Sequence, residues 1–377
     1  MKIEIPQRLC HLPLVMDMLR RSRVLETIDH AIAQHRLSSV STGECVAVIL
    51  AGVFVGADSL WRIRERLAPY DMATIMQDPG FDLARFPEER LAKALDDLYG
   101  FGLDRLMSGL ALEVIRQHGL DTRFMHFDTT TLSFYGAYES EGLSARSDGI
   151  APPPKVTYGH SKAKRPDLKP VVFGSLVTAD GGVPLMGKVL DGNLVDSVAA
   201  AEFFGRVREL VADPRAVCLV ADSKGWCDRT LTVVDDAGMR LLSRLPRSER
   251  LHRELMAFDW KPEQVIERPG KTAKAPPERY ELMGFDCDRC IAVETTSADG
   301  TTTRSTRTLP VRAVRIHSTA LLKTKLATLG RTRIRETRAA IKQIRAWPGR
   351  TWRTPAPTTL SALPIATSAN TRPSPTT

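Results

Sequence analysis

The sequence predicts an α/β protein whose mixed sheet is preceded by an all-helical N-terminal domain. Two observations carry this prediction. Apolar residues recur every three or four positions through most of residues 1–120. From residue 122 onward, short apolar runs of strand type alternate with amphipathic segments of helical type, which is the pattern of an α/β domain.

Residues 1–120 read as a helical unit. The segments "LPLVMDMLRRSRVLETIDHAIAQHR" and "LAKALDDLYGFGLDRLMSGLALEVIRQHG" both have the helical period. In "SSVSTGECVAVILAGVFVG", Ser and Thr precede an apolar segment and Glu44 follows soon after, which predicts a helix start. This unit contains no pattern of catalytic residues.

Residues 121–245 are predicted to form the sheet with its helices. The predicted strands, in chain order, are "TRFMHFD", "KPVVFGSLVT", "VPLMGKVL", "RAVCLVAD" and "MRLLSRLP". "SFYG" either extends the first strand or opens a hairpin, and the second and third strands form a hairpin. One helix, "DSVAAAEFFGRVRELVAD", has Asp196 as its predicted cap, and the other is closed by Gly238.

The C-terminal part is predicted to contain two further segments. Residues 246–320 form a β-rich insertion with strands in "RYELMGFDCDRCIAVETT" and "TRTLPVRAVRIHS". Residues 321–377 form a basic helix, for which Gly330 is the candidate break, followed by a Pro/Thr/Ser-rich tail that we predict to be disordered.

The positive charge of the chain is concentrated at its C-terminal end. The net charge is +9, but residues 301–377 hold 15 Lys and Arg against one acid, Glu336. The first 300 residues therefore carry 38 basic and 43 acidic groups. Such a basic segment favours binding to the phosphate backbone of nucleic acids, because binding releases counterions. The alternative, a disordered cationic tail without a partner, stays open at this point.

Several classes of protein are excluded by the sequence. The longest apolar run, Val46 to Val55, is well short of the roughly 20 residues that a membrane helix needs. Charged residues interrupt the apolar part of the N-terminus, so we expect no signal peptide. The six cysteines are scattered, which favours reduced thiols in the cytoplasm over a disulfide framework.

Two aspartates stand at the ends of predicted strands. Asp128 closes "RFMHFD" and Asp222 closes "RAVCLVAD", and small or hydroxyl residues follow each of them. Each one alone is better explained as a turn former or helix cap. As a pair on parallel neighbouring strands they would meet at one sheet edge, where carboxylates suit Mg²⁺ and two-metal phosphoryl transfer.

Several sequence blocks, in this order, resemble insertion-sequence transposases of the DDE type: "HFDTTTLSFYG", "YGHSKAKRPDLKP", "VPLMGKVLDGN", "VADSKGW" and "LLSRLP". Within the IS-four superfamily, the chain resembles the IS-sixteen-thirty-four-like branch. The resemblance implies an RNase-H-like (retroviral-integrase-like) catalytic core, with Asp128 and Asp222 as the first two catalytic and metal-binding acids. It also implies Mg²⁺ or Mn²⁺ as cofactor and double-stranded DNA, as transposon ends and target, as partner. A homodimer and a bacterial, nucleoid-associated location are compatible with it.

A basic loop follows the first acid. Its basic residues are predicted to contact DNA phosphates near the metals; they are Lys155, His160, Lys162, Lys164, Arg165 and Lys169. The alternative is a solvated basic loop.

The chain departs from the family at the third acid, a Glu in a signature Tyr-x₂-Arg-x₃-Glu-x₆-Lys. Glu336 has Thr332 where the Arg belongs and Lys342 one place too early, and Glu294 lies in a predicted strand. The sequence therefore reads as a C-terminally truncated transposase. Three functions follow: a catalytically crippled transposase, a non-catalytic binder of transposon ends or subunits that inhibits the complete enzyme, and a nuclease that needs only two acids.

Overall fold

The structure is a computed structural model. It describes residues 8–34, 36, 38–138, 152–159, 162, 164–246, 257, 259, 261–270, 272, 276–296 and 302–345. The chain divides into two compact units, one made of Met1–Ala257 with Asp288–Pro310 and the other of Phe258–Cys287 with Val311–Thr377. The domain boundaries that we predicted from the sequence stay predictions. None of the described helices is long and apolar enough to cross a membrane.

The first part of the chain is helical. Its seven α-helices among the described residues are α1 (Leu12–Arg21), α2 (Val24–Ala31), α3 (Thr42–Phe54), α4 (Ile63–Leu67), α5 (Met72–Met76), α6 (Glu88–Phe101) and α7 (Leu103–His118). Helices α1 to α6 contribute to a buried apolar cluster that includes Leu12, Val48, Leu67 and Phe86, whereas Ala111 of α7 belongs to the cluster of the following sheet. The predicted start of α3 is confirmed.

A capping box makes that start. The Ser41 hydroxyl accepts the Glu44 N–H at 3.0 Å, and Glu44 Oε2 accepts the Ser41 N–H at 2.6 Å. Two amide groups that the helix cannot satisfy are thereby bonded.

A five-stranded mixed sheet follows, and the predicted mixed α/β arrangement is confirmed. Its strands are β1 (Phe124–Phe134), β2 (Lys169–Thr178), β3 (Pro184–Leu190), β4 (Cys218–Ala221) and β5 (Arg240–Ser243). Their order is β3-β2-β1-β4-β5. β1–β2 and β2–β3 are antiparallel, whereas β1–β4 and β4–β5 are parallel.

Two helices belong to this sheet, α8 (Asp196–Arg206) and α9 (Asp228–Asp236). Phe127 on β1 packs against Phe203 and Phe204 of α8, with ring centroids 5.0 and 5.6 Å away. Met125 and Leu219 lie fully buried in the same cluster. The apolar side of the sheet thus packs against the aromatic side chains of α8.

β1 is longer than the sequence indicated. We placed its end at Asp128, but the strand continues to Phe134 and pairs with β2 along that whole length, from Met125↔Thr178 to Phe134↔Lys169. "SFYG" therefore extends the strand through Phe134. The β-branched residues Thr129, Thr130 and Thr131 favour an extended backbone, and the antiparallel partner supplies the hydrogen bonds.

The later part of the chain contains a three-stranded sheet in the order β6-β7-β8. These strands are β6 (Gln264–Arg268), β7 (Glu278–Thr296) and β8 (Thr302–Ser318), and helix α10 (Thr319–Arg345) follows. α10 runs through Gly330 without a break, which corrects our expectation, because one glycine costs a helix only about 1 kcal/mol. The tail predicted to be disordered, residues 346–377, lies outside the described residues.

Candidate active site

The parallel pairing of β1 with β4 brings the two predicted acids together. In this register Phe124 lies beside Cys218 and His126 beside Val220. Asp128 and Asp222 each come two residues after the last of these pairs, so they lie at the same edge of the sheet. Asp128 lies inside β1, whereas Asp222 follows the last residue of β4. Both line one pocket, whose walls are Phe127, Asp128, Thr129, Asp196, Asp222 and Gly225.

The loop after β4 fixes Asp222. Its carboxylate Oδ1 accepts the backbone N–H of Lys224 at 2.9 Å, which opens a short 3₁₀ turn over Ser223–Gly225. Its carbonyl accepts the Ser243 hydroxyl at 2.7 Å from the end of β5. The backbone at Asp222 is thus held from both sides before any ligand binds.

Asp196 is a third carboxylate of this pocket, and its position there was not predicted from the sequence. We expected a helix cap, but Val195 occupies the cap position and the Asp196 side chain makes no capping bond. The directions of the strands could have predicted this position. β1 and β3 are both antiparallel to β2, so they are parallel to each other, and the helix after β3 starts at the edge where β1 and β4 point.

Both oxygens of Asp196 have partners. The buried Thr129 hydroxyl donates to Oδ1 at 2.8 Å, and Lys224 Nζ lies 2.5 Å from Oδ2. Partial burial by itself raises the pKa of Asp196, but the hydrogen bonds from Lys224 and Thr129 outweigh it, so that the pKa is lowered overall. The pKa of Lys224 is raised, first by its hydrogen bond to Asp196. The two side chains therefore form an ion pair at neutral pH.

Lys162 is the residue of the predicted DNA-binding set that contacts an acid of the pocket. Its Nζ lies 3.3 Å from Asp128 Oδ1 and donates to the Thr129 hydroxyl at 2.9 Å and to the Thr129 carbonyl. Its backbone N–H donates to the Thr131 hydroxyl at 3.2 Å. The Asp128 side chain keeps 84% of its surface exposed, so it stays accessible to a ligand.

Lys155 and Lys164 make no contact with the two acids among the interactions described. The Lys155 backbone N–H donates to Asp191 Oδ1 at 2.8 Å, beside the end of β3. Lys164 has a left-handed backbone, with φ of 58°. His160 lies outside the described residues.

Arg165 and Lys169 lie beside the far end of β1, next to Tyr135 and Phe134. Arg165 pairs with Asp167 at 2.6 Å, and Lys169 sits 5.6 Å from the ring centroid of Tyr158. Lys169 pairs with Phe134, six residues beyond Asp128, which is roughly 20 Å along the strand. The predicted basic loop is thus divided between the acids and a distant end of β1. That these residues bind DNA stays a prediction.

The carboxylate pair fits a hard divalent cation. Within the part of the chain that the structure describes, no group of three or more His, Cys, Asp or Glu is arranged to hold a metal by itself. Mg²⁺ commonly takes only one or two protein carboxylates and completes its octahedron with water and phosphate oxygens, and Mn²⁺ favours the same oxygen ligands. Asp128 and Asp222 therefore suit Mg²⁺ or Mn²⁺ bound together with a phosphate group.

The two glutamates considered as third acids do not line this pocket. Glu294 on β7 forms an ion pair with Arg304 at 2.7 Å. Glu336 is an exposed residue of α10.

Comparison with known proteins gives one family match and several weak structural overlaps. The family model described as "Domain of unknown function (DUF4277)" matches residues 5–112, the helical part of the chain. No curated protein matches in a sequence search.

Two solved structures illustrate the overlaps. One, titled "Crystal structure of a pre-cleavage Mos1 transpososome", is 10% identical with a TM-score of 0.21, over 57% of this chain and 62% of that one. The other, titled "Cryo-EM structure of piggyBac transposase synaptic complex with hairpin DNA (SNHP)", is 10% identical with a TM-score of 0.30, over 78% and 60%. The chain thus spans about three fifths of their length. Overlaps with TM-scores this low carry no argument about fold or activity.

Proposed function

We propose that the chain derives from a metal-dependent DNA transposase of the DDE type, with Asp128 and Asp222 as its first two catalytic acids. The observation that carries this proposal is the meeting of these two carboxylates in one pocket, one on β1 and the other just after its parallel neighbour β4. The mixed sheet with helices supports an RNase-H-like core. The motif blocks that resemble insertion-sequence transposases of the IS-four superfamily contain both acids.

The residues of the pocket suit phosphoryl transfer on DNA. Asp128 and Asp222 would hold Mg²⁺ or Mn²⁺, and the bound ion would activate a water or 3′-hydroxyl and stabilise the leaving oxygen. Lys162, beside Asp128, offers an ammonium group to a phosphate oxygen of the DNA strand. The Thr129 hydroxyl links this ammonium group to Asp196, because it accepts from Lys162 and donates to Asp196.

Double-stranded DNA is the proposed partner. The basic segment on β8 and α10 and the basic loop before β2 supply the positive charge for phosphate contacts. A bacterial cytoplasmic location on the nucleoid and a homodimer belong to the same proposal.

A second candidate is a non-catalytic protein that binds transposon ends or transposase subunits and inhibits the active enzyme. The hydrogen bonds of Asp196 favour this candidate, because its two carboxylate oxygens already accept from Thr129 and Lys224. Among the described pocket residues, this leaves Asp128 and Asp222 as the acids available to a metal. Loss of one preorganised electrostatic group commonly lowers a rate by about 10²–10³, and loss of a metal lowers it further. Little strand transfer is therefore expected.

Labelled duplexes from the DNA that flanks the gene would separate the two candidates. Purified protein is incubated with them in Mg²⁺ and in Mn²⁺, beside the variants Asp128→Asn and Asp222→Asn. The exposed Asp96→Asn on α6 is the matched control. Metal-dependent cleavage or joining that both site variants abolish, and the control retains, supports the transposase. Specific binding of one duplex without cleavage supports an inhibitor that binds transposon ends. If the protein neither binds nor cleaves the duplexes, the transposase and the binder of transposon ends are both overturned.

A further inference from the structure

Lys224 stands where it could neutralise the proposed metal site. It follows Asp222 by two residues, and its ammonium group bonds Asp196, which lines the same pocket as Asp222 and Asp128. A lysine side chain is a compact charge on a flexible four-carbon stem. Two carboxylates that face each other attract any nearby cation, because their mutual repulsion is relieved when a positive charge lies between them. An unrestrained Lys224 would therefore compete with a divalent ion.

Asp196 restrains that ammonium group. The Lys224 Nζ to Asp196 Oδ2 distance is 2.5 Å. The Asp196 carboxylate cannot follow the lysine toward the other acids, because its second oxygen is held by Thr129, which is only 5% exposed. Asp196 is also the first residue of α8, where the positive end of the helix dipole stabilises a carboxylate.

We propose that Asp196 is a positioning residue that holds the Lys224 ammonium away from the space between Asp128 and Asp222, so that a divalent cation can bind there. The inference rests on the proposed function, since it presupposes that Asp128 and Asp222 take a metal. Asp196 itself is not assigned as a ligand, because both of its oxygens already have partners.

Binding of Mn²⁺ to the full chain, measured by the EPR signal of the free ion, tests this role without any assay of catalysis. The decisive variants are Asp196→Asn, Lys224→Met and the double variant that combines them. Asn keeps the size of Asp196 and an oxygen that can accept from Thr129, but it loses the charge that holds Lys224. Asp128→Asn identifies the Mn²⁺ that binds in this pocket, and thermal unfolding of each variant checks that it is folded.

The expected pattern has two parts. Asp196→Asn lowers the affinity for Mn²⁺ by about tenfold or more, in the range found when a group that supports a metal ligand is removed. Adding Lys224→Met restores the affinity to within about threefold of the unchanged chain, because the competing ammonium is then gone; this recovery is the non-additivity that coupled neighbours show. Lys224→Met alone binds Mn²⁺ at least as tightly as the unchanged chain.

Three outcomes overturn the inference, and the last of them also contradicts the proposed function. If Asp196→Asn binds Mn²⁺ as well as the unchanged chain, Asp196 has no such role. If the double variant stays as weak as Asp196→Asn, Asp196 acts directly or through Thr129 and not through Lys224. If the unchanged chain shows no Mn²⁺ binding that depends on Asp128, the metal site fails together with the inference.

Discussion

Thr129 is the residue that connects both sides of the pocket, since its hydroxyl accepts from Lys162 and donates to Asp196. Thr129→Val keeps the β-branched shape but leaves the partly buried Asp196 carboxylate without one donor. We expect the free energy of unfolding to fall by about 1–3 kcal/mol, the cost of leaving one buried polar partner unsatisfied. Urea unfolding followed by tryptophan fluorescence measures the change.

Thr130→Val is the matched control for that substitution. Thr130 is the next residue of the same strand and is exposed. We expect a change within about 0.5 kcal/mol, as for most surface substitutions. Equal losses for the two variants would mean that strand propensity, and not the hydrogen bonds of Thr129, sets the effect.

Asp121, just before β1, makes the stability of the fold depend on pH. The Arg123 guanidinium lies 2.7 Å from its Oδ2, and hydrogen bonds from the Arg123 side chain and backbone lower the pKa of Asp121 from 3.8 to about 2. A carboxyl whose pKa is lower in the folded state stabilises the fold above its usual pKa and loses that contribution as the pH falls through the folded value. We therefore expect the unchanged chain to have a higher Tm than Asp121→Asn at neutral pH. This difference in Tm should shrink as the pH falls below 3.8.

Unfolding at high salt is the control for the charge of Asp121. Because both side chains are at the surface, 1 M salt should reduce the difference in Tm at neutral pH. A difference in Tm that is constant across the acid range would show that the Asp121 carboxylate does not titrate with a lowered pKa.

At the scale of elements, part of β7 and β8 packs on α9, the helix that follows the turn after Asp222. Asp228 accepts from Arg289 at 3.2 Å and from the Ala292 N–H at 3.0 Å. An apolar cluster lies beside these bonds and consists of Leu231, Ile291, Val293 and Leu309, with Trp226 and Leu241 packed against it. This contact covers the polypeptide just after the candidate site.

Ile291→Ala should therefore destabilise the unit that contains the site. Ile291 is 1% exposed, and truncation of a buried Ile to Ala costs about 2–5 kcal/mol through lost burial and the cavity left behind. Ile316→Ala on β8 is the matched control, because Ile316 is 57% exposed. Chemical unfolding of both variants tests the expectation, and losses of the same size would refute the contribution of the cluster.

At the scale of the whole molecule, the C-terminal charge should dominate the salt dependence of DNA binding. Residues 319–377 carry 11 Lys and Arg and one Glu, and their removal leaves β8 complete. The truncated chain should bind duplex DNA more weakly and with a flatter dependence of log K on log salt. The magnitude of the slope falls by about 0.9 for each phosphate that the protein no longer neutralises. Fluorescence anisotropy at several salt concentrations measures both quantities.

Arg64→Gln with Arg66→Gln on α4 is the control for the truncation. Both residues are exposed cations of the helical segment. We expect these substitutions to leave the slope close to that of the unchanged chain. An unchanged slope in the truncated chain would show that the basic C-terminal segment does not contact DNA.

Local sequence patterns were enough to predict most of the elements and the meeting of Asp128 with Asp222 in one pocket. The order of strands and helices follows from the periods of the apolar residues, and the start of α3 follows from Ser41 and Glu44. Asp128 and Asp222 could be paired because parallel strands bring their carboxyl ends to one edge of a sheet. These inferences need only the local backbone and one rule of sheet topology.

The tertiary structure decided what lies between distant parts of the chain. Pairing with β2 carries β1 beyond Asp128, and that register separates Lys169 from the acids while Lys162 reaches Asp128. The direction of β3 sets Asp196 beside Thr129 and Lys224. A sequence pattern reports the conformation and burial of neighbouring residues. It does not fix the register between strands, and it is the register that determines which side chains meet.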